Sequence, residues 1–163
     1  MNSIDEIKKI GFTGFQKISE LKRDISVIPK EKGVYLVLYT KKEHPSFMET
    51  GTGGYFKGKN PNVAIEDIKQ KWVNGAIVVY IGKAGGLNSK ATLLSRIKQY
   101  LAFGQGQDIG HYGGRYIWQM KDSDNLLICW KVLADEEPRE AESELISDFI
   151  TRYNKMPFAN LLR

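Results

Sequence analysis

The stretch AIVVYIG, residues 76–82, decides how the rest of the chain reads. It is β-branched and aromatic almost throughout, which predicts a strand buried on both faces and central in its sheet. The glycine that closes it lets a neighbour or ligand approach the backbone. Upstream, GVYLVLY (33–39) follows the turn residues Pro29 to Gly33 and predicts a second strand. Residues 41–62, rich in Gly, Lys, Thr and Pro, predict a long loop. Ile65, Ile68 and Trp72 carry helical spacing over 64–73, so residues 41–75 form an insert between the two strands. Downstream, residues 92–103 predict an amphipathic helix with Leu93, Leu94, Ile97, Tyr100 and Leu101 on its apolar side. Residues 115–120 and 126–133 predict two more strands. Pro138 then opens a helix that runs to about residue 154, with Pro157 as its stop. Residues 4–10 and 16–24 predict short helices, a helical lead-in over 1–30. This order predicts one α/β or α+β domain over 1–163, with a small central mixed sheet flanked by helices.

The chain has 163 residues, 42% of them apolar and 26% charged, as in an ordinary single globular domain. No run of about 18 apolar residues predicts a membrane span. The opening MNSIDEIKKIGF has no apolar segment of the kind a signal peptide needs. Cys129, the one cysteine, sits in the apolar run LLICWKVL and predicts a buried thiol. The expected compartment is the cytoplasm. The net charge of +5 is unevenly spread. Lys83, Lys90, Arg96, Lys98 and Arg115 face only Asp108 between residues 83 and 120, whereas residues 135–148 are strongly acidic. A basic surface beside an acidic helix can hold a polyanion and a divalent cation together, and it also fits two solvated faces of opposite sign.

Several residues carry candidate chemistry. On the last helix, Glu142 falls on the face of Ile146 and Phe149, while Glu140, Glu144 and Asp148 point elsewhere. A carboxylate facing a core needs a metal or an arginine, unless the helix start leaves it wet. Arg96 lies one turn before Tyr100 at the edge of its helix's apolar stripe, and its fork matches phosphate. A snorkelling surface arginine fits the same position. Tyr35 and Tyr80 sit in two strands, either as good β formers or as chemistry. A phenol brought from its usual pKa near 10 to about 7 needs roughly 4 kcal/mol of extra phenolate stabilisation, for which Lys83 and a divalent cation are the natural source.

The ordered blocks Gly33-Val34-Tyr35, Tyr80-Ile81-Gly82-Lys83, Arg96 in the next helix, Glu142 in a later helix and a closing Pro157-Phe158-Ala159-Asn160 resemble the GIY-YIG nuclease pattern. The segment around Arg96-Ile97-Lys98-Gln99-Tyr100-Leu101 is similar to the nuclease domain of bacterial excision-repair incision proteins, and Pro157 to Arg163 looks like the family's ending. Two departures are the long insert between the tyrosine motifs and a long interval from Glu142 to Asn160, for which Glu144 is the competing glutamate. The resemblance implies the GIY-YIG nuclease fold and a DNA endonuclease that leaves 5′-phosphate and 3′-hydroxyl ends. It implies that Glu142 binds one Mg²⁺ or Mn²⁺ and that Arg96 holds the scissile phosphate. Tyr35 or Tyr80 would deprotonate water with help from Lys83, and Tyr100 and Asn160 would position the phosphate and the tyrosines. The alternative is a non-catalytic DNA-binding module on the same fold.

DNA contacts are expected from Lys57 and Lys59 in the insert, from Lys90 and Lys98, and from His111 and Arg115 in HYGGR, which equally fits a polar turn. The stretch from Gly53 to Asn60 is not a P-loop, because Asn60 stands where magnesium needs a hydroxyl and Pro61 follows. His44 and His111 are too isolated for a zinc cluster.

Overall fold

A computed structural model describes residues 1–161, so Leu162 and Arg163 of the closing motif lie outside the described residues. The strands are β1 (Thr13–Lys17), β2 (Gly33–Leu38), β3 (Val78–Ala84) and β4 (Leu127–Val132). The helices are α1 (Ile4–Lys9), α2 (Ile18–Arg23), α3 (Ile65–Lys71), α4 (Leu93–Gly104) and α5 (Pro138–Tyr153). This is the expected α+β composition, a small sheet flanked by helices.

The sheet order is β1-β4-β2-β3, and β2 and β3 are neighbours as the two tyrosine motifs predict. Every pairing is antiparallel, where a mixed sheet was expected. The reason is topological: β3 and β4 share a direction but lie on opposite sides of β2, so no parallel pair forms.

A second correction concerns β3, which is an edge strand and not a central one. Its apolar run is explained by a covering segment. The Ala159 N–H donates to the Val79 carbonyl at 2.8 Å, and the Asn160 side chain bonds both backbone groups of Ile81. The C-terminal residues thus satisfy the open ladder that an edge would expose.

Two further expectations fail for tertiary reasons. Residues 16–24 do not form one helix. Residues 13–17 pair with β4, and α2 begins only at Ile18, where Glu20 caps the Lys17 N–H at 2.8 Å. Residues 115–120 are not a strand. Gly114, at φ +80°, turns the chain into a 3₁₀ turn over Arg115–Gln119 whose apolar residues are buried from two sides.

The sheet separates two cores. Tyr35, Val37, Tyr80, Ile128 and Trp130 face α2, α4 and the 3₁₀ turn. Val34, Leu36, Ile81 and Cys129 face α1 and α5. A bulge decides the tyrosine's side: Val37 pairs with Tyr80 but Leu38 with Val78, leaving Val79 unpaired. Val79 and Tyr80 therefore share the first core. Cys129 is buried as expected, and burial pushes its thiol pKa up. Among the described residues, no helix is long and apolar enough to cross a membrane.

The insert over 41–75 is docked on the domain. The buried Gln119 side chain donates to the carbonyls of Met48 and Val63 and accepts from the Val63 N–H at 3.0 Å. Phe47 pairs with Met120, the Thr52 N–H reaches the Trp118 carbonyl, and the Tyr112 hydroxyl donates to the Asn60 carbonyl. Insert and 3₁₀ turn make one layer over the face that carries Tyr35.

Candidate active site

Three tyrosines from three elements meet on that face. Tyr35 of β2 lies 6.0 Å from Tyr80 of β3 and 6.4 Å from Tyr100 of α4, centroid to centroid, and Tyr80 and Tyr100 are 5.4 Å apart. Register explains the first pair: Tyr35 is opposite Gly82 and Tyr80 is opposite Val37, so the rings are diagonal neighbours on one face. Tyr100 reaches them because α4 places it one turn after Arg96 on the buried side, with Trp118 against its ring at 5.2 Å. Its hydroxyl donates to the Gly114 carbonyl at 2.6 Å. Glycine is required at 114 twice over: the backbone has positive φ, and a Cβ would stand 2.7 Å from the Tyr100 hydroxyl.

The charged candidates join this group. Arg96 is half-buried, donates to Gln99 at 3.1 Å, and favours the ionised forms of Tyr35, Tyr80 and Glu142. Glu142, in the first turns of α5, is half-buried and acts on both tyrosines in the opposite sense. Burial raises its pKa above the usual carboxylate value, with Lys83 and then Arg96 pulling it back. No hydrogen bond or ion pair holds its carboxylate among the described residues. Glu144 is exposed and lies beside Ile10, Phe12 and Lys131, away from the tyrosines. The two glutamates therefore lie on different faces of α5, as the helical spacing predicts.

Four site expectations need correction. Lys83 pairs with Val34, on the face opposite Tyr35, and its charge acts on Glu142. The cation that eases both phenols is Arg96. Second, the phenols start further from neutrality than a free tyrosine. Burial drives Tyr35 and Tyr100 well above 10 and Tyr80 up to about 12. Bringing Tyr80 down to pH 7 needs about 7 kcal/mol at 1.36 kcal/mol per unit. All three are neutral hydrogen-bonding groups in the folded chain.

Third, Asn160 is turned to the sheet beside Tyr80. Its amide is spent on the Ile81 backbone, next to Tyr80, at 2.9 and 3.0 Å. Fourth, His111 is no surface contact for DNA. It is buried, stacked on Tyr100 at 4.5 Å and within 3.2 Å of the Tyr35 hydroxyl. The loop that carries it is drawn inward by the Tyr100–Gly114 bond, which no local pattern announces.

The remaining basic residues sit as follows. Lys57, Lys59, Lys90 and Lys98 are exposed. Arg115 is half-buried, with its guanidinium 4.0 Å over the Tyr112 ring and 5.2 Å from Tyr116. Gln119, which anchors the insert, was missed as a site-forming residue, while Gly82, expected to allow close approach, clears space for Tyr35. No local pattern marks Gln119.

Comparisons of the chain with protein-family models, with curated proteins and with solved structures find no match.

Proposed function

We propose that this chain is a divalent-metal-dependent endonuclease of the GIY-YIG type. It would act on DNA in the cytoplasm and leave 5′-phosphate and 3′-hydroxyl ends. The observation that carries the reading is convergence: Tyr35, Tyr80, Arg96 and Glu142, drawn from β2, β3, α4 and α5, act on one another electrostatically.

Glu142 fits a metal ligand. It is a desolvated carboxylate without a direct partner among the described residues, and a single carboxylate suffices for Mg²⁺ or Mn²⁺ that keeps its waters. When bound, the cation supplies positive charge for the phosphate and the leaving oxygen. The chain's own residues do the rest. Arg96 holds the scissile phosphate through its guanidinium. Tyr80, the less buried of the strand pair, takes the hydrogen bond of the attacking water. Tyr35 and Tyr100 fix the Tyr80 ring by packing. Lys57, Lys59, Lys90 and Lys98 provide exposed charge for the DNA backbone.

The test is plasmid and oligonucleotide cleavage with Mg²⁺ and Mn²⁺, beside a binding assay at fixed salt. Wild type should cut. Glu142→Gln should bind DNA and lose cleavage by about 10³-fold or more, as several kcal/mol of transition-state stabilisation disappear. Glu144→Gln should cut normally. A wild type that binds DNA and never cuts would instead mark a binding module.

A further inference from the structure

His111 is a buried imidazole with both ring nitrogens engaged. Nδ1 lies 3.1 Å from the Gly113 carbonyl oxygen and Nε2 lies 3.2 Å from the Tyr35 hydroxyl. A carbonyl oxygen only accepts, so Nδ1 must carry the proton. In the neutral ring, Nε2 is then the acceptor, and the Tyr35 hydroxyl must donate to it. Burial, followed by the charge of Arg96, lowers the His111 pKa to about 4, so the ring is neutral at working pH. Its plane is fixed by Tyr100, stacked at 4.5 Å with 30° between rings. The carbonyl that sets the tautomer belongs to a loop tied to the same Tyr100 through Gly114.

We propose that His111 is a positioning residue of the active site, holding the Tyr35 proton on the side away from Tyr80. The Tyr35 oxygen then turns only lone pairs toward Tyr80, whose ring lies 6.0 Å away. Hydrogen bonding runs in one direction: from Tyr35 to His111 Nε2, and from His111 Nδ1–H to Gly113. With the Tyr35 proton committed to His111, the Tyr80 oxygen keeps its lone pairs for the site, where an attacking water can donate. With the His111 tautomer reversed, Nε2 would donate to Tyr35 and the order would be lost. This role rests on the nuclease reading, and it concerns orientation alone, since no proton leaves the chain of donors.

Two experiments test it. The first needs no activity: nitrogen-15 NMR of the wild type at pH 7, with His44→Gln used to assign the other of the two histidines. A neutral, Nδ1-protonated His111 is expected. An Nε2-protonated or charged ring overturns the proposal. The second is a double-mutant cycle in DNA cleavage with Tyr35→Phe and His111→Gln, each checked for folding by thermal melting. His111→Ala replaces the glutamine variant if that one fails to fold. Each single change should lower kcat by roughly tenfold to a hundredfold with KM little altered. The double variant should be no worse than the poorer single one. Multiplying effects, or a folded His111 variant with full kcat, overturn this role while the nuclease reading stands. A wild type that cuts no DNA overturns the nuclease reading and this role with it, and the NMR result then reports the hydrogen bond alone.

Discussion

The ring of Tyr35 lies across Gly82: a Cβ at position 82 would stand 2.4 Å from Tyr35 Cζ and 2.6 Å from its hydroxyl oxygen. The two residues are register partners on β2 and β3, so the glycine of one motif is the space the tyrosine of the other fills. Alanine at 82 must push Tyr35 off its rotamer or open the strand pair. Overpacking of this kind costs about 1–3 kcal/mol. Gly82→Ala should lower stability by that amount in urea titration, and Tyr35→Phe in that background should not restore it, because the ring itself collides. Wild-type stability in Gly82→Ala would show that the ring does not lie there.

Asn160 links the end of the chain to Tyr80 through the Ile81 backbone. Asn160→Ala leaves two backbone groups of an edge strand without partners, each worth about 1–3 kcal/mol when buried. Amide exchange at Ile81 should accelerate in the variant, while amides of β4 stay protected. Asn160→Asp should retain only the bond accepted from the Ile81 N–H and fall between the two. Unchanged exchange at Ile81 would remove the edge-clamp role.

Glu142 makes a stability prediction separate from catalysis. Its folded pKa is raised, so the stability its protonated form contributes is fully present below the unfolded value and is lost as pH rises through the folded one. At pH 7 without metal, the ionised side chain therefore works against folding. Glu142→Gln should melt above wild type at pH 7 in chelator, and the gap should close as the pH falls toward 4. Added Mg²⁺ should raise the wild-type Tm and leave the variant unmoved, since only a site that binds the ion gains from it. A variant less stable than wild type at pH 7 would contradict the desolvation argument.

Lys57 and Lys59 are exposed on an insert that Gln119 anchors to the 3₁₀ turn. Because the insert is part of the packed layer, point changes test it better than deletion. If both lysines meet DNA phosphates, Lys57→Ala with Lys59→Ala should weaken binding and flatten the slope of log K against log salt by about 1.8, at 0.9 per phosphate contact on duplex DNA. An unchanged slope places the insert outside the DNA footprint.

Much of this architecture was legible from local pattern. The apolar runs of β2 and β4 and the stripes of α4 and α5 announce themselves, because burial of a periodic face is recorded in the residues that carry it. The same periodicity separates Glu142 from Glu144, since a helix fixes which side chains share a face. It also places Arg96 one turn from Tyr100. Tertiary structure alone decided the rest. Whether β3 is central or an edge depends on Ala159 and Asn160, far along the chain, whose bonds let an edge strand be as apolar as a central one. The apolar run at 115–119 looks like a strand, yet Gly114 and the docked insert bury it as a turn. Lys83 follows Tyr80 closely in sequence but points to the other face, because strand side chains alternate; Arg96 takes its place by approach through space. His111 reads as a loop residue for solvent and becomes a buried partner of Tyr35, since a loop's position is set by what it bonds to and not by its own composition.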